Sequence, residues 1–119
     1  MTQPSHRLAT IGWDEFAQVE MRAGTVLEVA EFPEARKPAY KVTVDFGHPI
    51  GVKRTSAQIT ALYRPETLVG RQVVGVVNFP VKQIGPFLSE FLLMGFYRDD
   101  GSVVLAVPDQ TIANGARLA

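Results

Sequence analysis

At 119 residues and 13.1 kDa, 46% of it hydrophobic, the chain suits one domain with a buried core. Twelve Lys and Arg balance twelve Asp and Glu, which excludes a strongly basic protein that coats nucleic acid through bulk charge. The absence of cysteine excludes disulfides, thiolate metal sites and cysteine nucleophiles, and two histidines are too few for a histidine-rich metal site.

Residues 1–10 are expected to form a flexible arm. They contain no apolar targeting segment. Residues 11–119 form the domain. Thr10 or Asp14 is placed to cap a short helix, with Trp13 and Phe16 on one face. Those rings are expected to plug the end of the core, the alternative being a ligand-stacking surface. From residue 19 to 30 the period is two. Val19, Met21, Ala23, Thr25, Leu27 and Val29 alternate with the other face, so a long half-buried strand is predicted. Gly24 suggests a bulge or bend within it.

A loop over 32–38 is bounded by Pro33 and Pro38. Tyr40, Val42, Val44 and Phe46 mark a second strand, Gly47-His48-Pro49 a turn, and 50–56 a third strand. Residues 59–63 are predicted as a short helix stopped before Pro65. A second helical turn starts at Pro65 and ends at Gly70. Residues 72–79 are apolar on both faces, as in a central strand. The apolar run 73–81 is broken by Gly75, Asn78 and Pro80 and falls short of the ~20 residues a membrane helix needs. No membrane insertion is expected. Residues 80–86 are predicted as loop, and 88–97 and 102–107 as strands joined by a turn at Asp99-Asp100-Gly101. The tail holds another turn at Asn114-Gly115. Six short strands make an all-β barrel or sandwich, and a helix midway through them fits an OB-fold barrel.

The zero net charge conceals an asymmetry. Residues 36–82 carry a net +6 and the remainder −6. If the middle strands share a face, the molecule has one cationic side, with Lys41, Lys53 and Arg54 on those strands, Arg36 and Lys37 in the loop before them and Lys82 in a nearby loop. Such a face either holds phosphates, with salt-sensitive affinity, or is a solvated surface. Neutral groups able to meet phosphate, sugar and base edges cluster with the cations: Ser56, Gln58, Asn78, Gln83 and Ser89. Asn78 has a structural alternative, an amide closing a gap in the backbone hydrogen bonding, and Ser56 and Ser89 have one as turn caps.

Catalytic signals are weak. There is no Gly-rich phosphate loop and no nucleophile elbow, and His48 sits in a turn without a partner. The carboxylate pairs Asp14-Glu15 and Asp99-Asp100 suit a helix start and a hairpin turn. The chain is expected not to be an enzyme and to need no cofactor. Residues 84–97 are apolar on both strand faces. Phe87, Leu88, Phe91, Leu93 and Phe96 are therefore expected in the core, in a dimer interface or on a polypeptide-binding surface.

Several segments, in order, resemble a known family. Glu20-Met21-Arg22-Ala23-Gly24-Thr25-Val26 is similar to the opening strand of the tRNA-binding OB domain. That domain occurs in bacterial methionyl-tRNA synthetase, in the beta subunit of phenylalanyl-tRNA synthetase and in the EMAP-II-like cytokine precursor. Residues 32–41, 44–47, 53–60 and 76–80 resemble more closely its CsaA-type branch, described as secretion-related chaperones. The resemblance spans roughly residues 13–119.

It implies a five-stranded Greek-key OB barrel with a short N-terminal helix and a C-terminal extension used in dimerisation. It also implies a cytoplasmic homodimer whose partners are tRNA or structured RNA, and unfolded polypeptides or preproteins. Arg22, Lys53, Ser56, Asn78, Lys82 and Ser89 match the RNA-binding pattern. Arg36, Lys37, Lys41, Arg54, Gln58 and Gln83 join them by their chemistry. Where the wider family has Ser-Glu-Gly-Met, this chain has Ser89-Glu90-Phe91-Leu92, which adds apolar surface beside the cationic loop.

Overall fold

A computed structural model describes residues 7–119, so the expected arm lies mostly outside the described residues. The elements are α1 (Trp13–Ala17), β1 (Met21–Glu31), β2 (Tyr40–Asp45), β3 (Val52–Ala57), α2 (Pro65–Leu68), β4 (Gln72–Val76), β5 (Lys82–Ile84), β6 (Phe87–Ser89), β7 (Leu92–Leu93), β8 (Gly95–Tyr97) and β9 (Val103–Leu105). A five-stranded antiparallel sheet runs β3-β2-β1-β4-β7 and curls into a nearly closed OB-type barrel.

β1 has two partners because it is long. Its first half, from Met21 to Thr25, pairs with β4, and its second, from Thr25 to Glu31, with β2. The bulge falls between Val26 and Glu28, not at Gly24. Leu27 is the extra residue and is exposed, so that Val29 beyond it packs against the same core as Val26; the predicted alternation already breaks earlier, where Ala23 and Gly24 are both buried. Gly24 answers a packing demand instead. A Cβ there would lie 2.5 Å from Val44 Cγ1 and 2.8 Å from Phe46 Cδ1.

β2 keeps its alternation throughout, burying Tyr40, Val42 and Val44. The main core joins these to Val26, Phe46, Leu68, Val73 and Phe91, with the Phe46 and Phe91 rings edge to face at 4.9 Å. β3 closes toward the β6–β7 segment through a mix of side-chain and isolated backbone bonds rather than a regular ladder. Thr55 Oγ1 donates to Phe91 O at 2.6 Å, and Ser56 N–H donates to Ser89 Oγ at 3.1 Å. Arg54 N–H donates to the Glu90 carboxylate at 2.9 Å, while Glu90 N–H donates back to Arg54 O at 2.7 Å.

Several sequence expectations are corrected. Trp13 and Phe16 do not plug the core. α1 buries none of its residues, and Trp13 is 87% exposed. The helix is also capped differently, by Gly12 N–H donating to the Glu15 carboxylate at 2.8 Å. Residues 59–63 form a turn, not a helix, although α2 does begin at Pro65. Ile59 is buried and Tyr63 O accepts the Tyr40 hydroxyl, so that segment is tied to the barrel at both ends.

The predicted loop at 80–86 contains β5, and the predicted strand at 88–97 is three short strands. β5 and β6 form a hairpin of their own, with Lys82 opposite Ser89 and Ile84 opposite Phe87. β8 and β9 form another, around the predicted Asp99-Asp100-Gly101 turn. There the Ser102 hydroxyl and N–H both donate to Asp100, which holds that carboxyl below its usual range.

The tail continues the sheet along the edge of β1 that β2 leaves free. Gly115 N–H donates to Ala23 O, Ala23 N–H to Ala116 O, and Leu118 N–H to Met21 O. Gln72 clamps the same segment: its amide accepts from Ile112 N–H and donates to Ile112 O.

Candidate nucleic-acid interface

The register of β2 and β3 decides which cations share a surface. Residues directly opposite in an antiparallel pair project to the same side. Lys41 opposes Ser56 and Thr43 opposes Arg54, and all four lie on the outer side of the barrel. Lys53 opposes the buried Val44 and therefore has the other parity. Adjacent cations in one strand cannot share a face, so the single surface expected to hold both Lys53 and Arg54 does not form. Arg36 and Lys37 are exposed in the β1–β2 loop.

The outer face is partly covered by the β5–β6 hairpin. Phe87 lies against Phe32, with ring centroids 5.3 Å apart, and Ala39 completes this small second core. Lys41 Nζ sits 5.1 Å from the Phe32 centroid and 5.9 Å from that of Phe87, and the Arg54 guanidinium stands 4.7 Å from the Phe87 centroid. Two cations thus rest on an aromatic bed that fixes their position while leaving their charge available.

Beyond Ser56 the surface opens into a groove of about 630 Å³ lined by Ser56, Gln58, Lys82, Gln83 and Ser89, with Phe79 at its rim. The structure thus brings together in one hollow five residues that are scattered over 34 positions of the sequence. Ser89 serves the fold as well, since its hydroxyl accepts from Ser56 N–H and meets Thr55 Oγ1. Lys82 is exposed on β5, and the sole ion pair among the described residues, Arg22 with Glu20, lies elsewhere.

Arg22 and Asn78 form a separate cluster. Arg22 donates to the Glu20 carboxylate at 2.9 Å and to Gly115 O at 3.0 Å. Asn78 Oδ1 accepts from Glu20 N–H, and its Nδ2 donates to Gln18 O. The Asn78 amide closes the junction between α1 and β1, which is the structural alternative weighed for it.

The apolar set is divided between the core and the surface. Phe87 and Phe91 are each 4% exposed, in the second and main cores respectively, and Leu93 packs against the main core. Only Leu88 and Phe96 of that set are exposed. The sequence reading missed Phe79, Val81 and Leu92 around the groove. For Phe79 and Val81 the signal was their place beside Asn78 and Pro80, where the predicted central strand met the predicted loop.

A family model described as "Putative tRNA binding domain" matches residues 21–117. Two solved chaperone CsaA structures, from Bacillus anthracis and Picrophilus torridus, are each 43% identical. Their TM-scores are 0.87 and 0.85, and the matches cover 93% and 92% of this chain and 100% of theirs. The chain belongs to the tRNA-binding-domain family, in its CsaA type.

The family extends into larger proteins. A methionine–tRNA ligase from Thermococcus kodakarensis is 34% identical over 113 residues, 94% of this chain but 15% of the ligase. The chain therefore spans about a seventh of the length of such relatives.

Proposed function

We propose that the protein is a non-enzymatic, homodimeric tRNA- or structured-RNA-binding protein of the cytoplasm. The observation that carries this reading is the continuity of Arg54, Lys41 and Ser56 on one barrel face with the Lys82 groove beyond it. Cations set at intervals along a curved face suit a phosphate backbone, and the neutral groups between them suit sugar and base edges. The residues proposed to contact RNA are Lys41, Arg54, Ser56, Gln58, Lys82, Gln83 and Ser89, with Arg36 and Lys37 as outlying phosphate contacts. Lys53, Arg22 and Asn78 are proposed to contribute less.

Titration of tRNA against the protein across a range of salt tests the reading. Each phosphate contact adds roughly −0.7 to −0.9 to the log–log slope. Lys82→Ala should weaken binding and reduce the slope by about one for each copy engaged. Absence of salt-dependent tRNA binding at low ionic strength would overturn the reading.

A second reading is binding of unfolded polypeptides or preproteins. It is favoured by exposed apolar side chains, among them Leu88 and Phe96, the latter 66% exposed, and by the solved relatives described as chaperones. Suppression of aggregation of a denatured test protein at near-stoichiometric ratio would support it.

A further inference from the structure

The groove beside Lys82 does not end at Gln58. A second hollow, of about 390 Å³, shares Ser56, Gln58 and Leu92 with it and runs on past Gly95 to Tyr97. The combined channel carries an aromatic ring toward each end. Phe79 is 50% exposed and Tyr97 84%. Gln58 is exposed between them, and Gln83, whose Nε2 donates to Gly85 O, still has its amide oxygen to offer.

We propose that this channel is a track for unpaired nucleotides, with one base stacked on Phe79 and the strand crossing Gln58 toward Tyr97; the inference rests on the RNA reading above. Each part of a nucleotide has a counterpart. A base offers an apolar face that a half-exposed ring can cover, whatever the sequence. Its phosphate carries the charge that Lys82 complements, and the amide and hydroxyl groups of Gln58, Gln83 and Ser56 reach its polar edges. A duplex cannot use the rings, because its base faces are already stacked on one another. Bound tRNA would therefore place a loop or a frayed end here, while Lys41 and Arg54 meet backbone phosphates on the adjoining face.

The test uses fluorescence anisotropy of a labelled eight-nucleotide oligouridylate and of a duplex RNA of equal length, alongside tRNA. The wild-type protein should hold the single strand more tightly than the duplex. Phe79→Leu should lose about tenfold for the single strand with its salt slope unchanged, because a ring releases no counterions. Phe79→Trp should restore affinity and show indole quenching by the oligonucleotide, whereas the wild-type protein, with Trp13 as its sole indole, should show none.

Equal affinity for strand and duplex, with no effect of Phe79→Leu, would overturn the track while salt-dependent tRNA binding left the RNA reading standing. Loss of all RNA binding in the wild type would remove both. Quenching of the Phe79→Trp indole by an unfolded polypeptide but not by the oligonucleotide would overturn the track and assign the channel to polypeptide.

Discussion

Gly24 and Arg54 illustrate how much a single position can be misread without its neighbours. A glycine inside a strand signals either a bulge or a close approach, and the two look alike in sequence. Here Val44 and Phe46 crowd the space a side chain would need. Gly24→Ala should therefore destabilise the fold by about 1–3 kcal/mol through overpacking, measured as a lower midpoint in urea denaturation. An unchanged midpoint would mean that the two neighbours move aside freely. Arg54 was legible as a cation but not as one set on an aromatic ring, because Phe87 lies 33 positions away and is brought over it by a hairpin. Asn78 was legible as an amide breaking an apolar run. Its commitment to Glu20 and Gln18 depends on where α1 lies, which local sequence does not specify.

The elements that sequence pattern located well are those whose burial is regular, either alternating or nearly continuous. β2 has apolar residues at every second position, and Gln72–Val76 is buried almost throughout, so both stand out. The segment from Val81 to Tyr97 does not, because its apolar residues are divided among a second core, the main core and the surface. A loop over 80–86 and one strand over 88–97 were the economical interpretation of that composition, yet Phe87 and Phe91 enter different cores, so the chain turns between them. The β5–β6 hairpin is consequently anchored by Phe87 rather than by length. Phe87→Ala should cost about 3–5 kcal/mol, whereas Leu88→Ala, one residue on but exposed, should stay within about 0.5 kcal/mol. Denaturant unfolding of the two variants compares them directly, and equal losses would contradict the anchoring role. Because the hairpin carries Lys82 and Gln83, the first variant should also weaken RNA binding.

For the whole molecule, the informative feature is what the barrel leaves uncovered. α1 has five residues and none is buried, although it carries Trp13 and Phe16. A helix that short has little stability of its own in water. The proposed homodimer would supply the missing contact by covering α1 and the apolar residues near it. Light scattering at micromolar concentration should give twice the 13.1 kDa chain mass, and Trp13→Ser should shift the distribution toward one chain. A single-chain mass for the unaltered protein would count against the dimer. The exposure of α1 was not accessible from composition, since the same aromatic pair would serve equally well inside a core. Charge was only half legible at this scale. The excess of cations over residues 36–82 is a property of the sequence, but the pleat of β3 divides them between two faces.

The tail raises a separate matter of solubility. Residues 115–118 occupy the edge of β1 over Met21–Ala23, where β2 no longer reaches. Without them, that edge would present unpaired N–H and C=O groups beside the apolar side chains of Met21, Ala23 and Val74. An open edge of that kind is a template for another strand. The last few residues therefore work as a guard strip, and shortening the chain there would expose a sticky border through which one barrel could recruit the next.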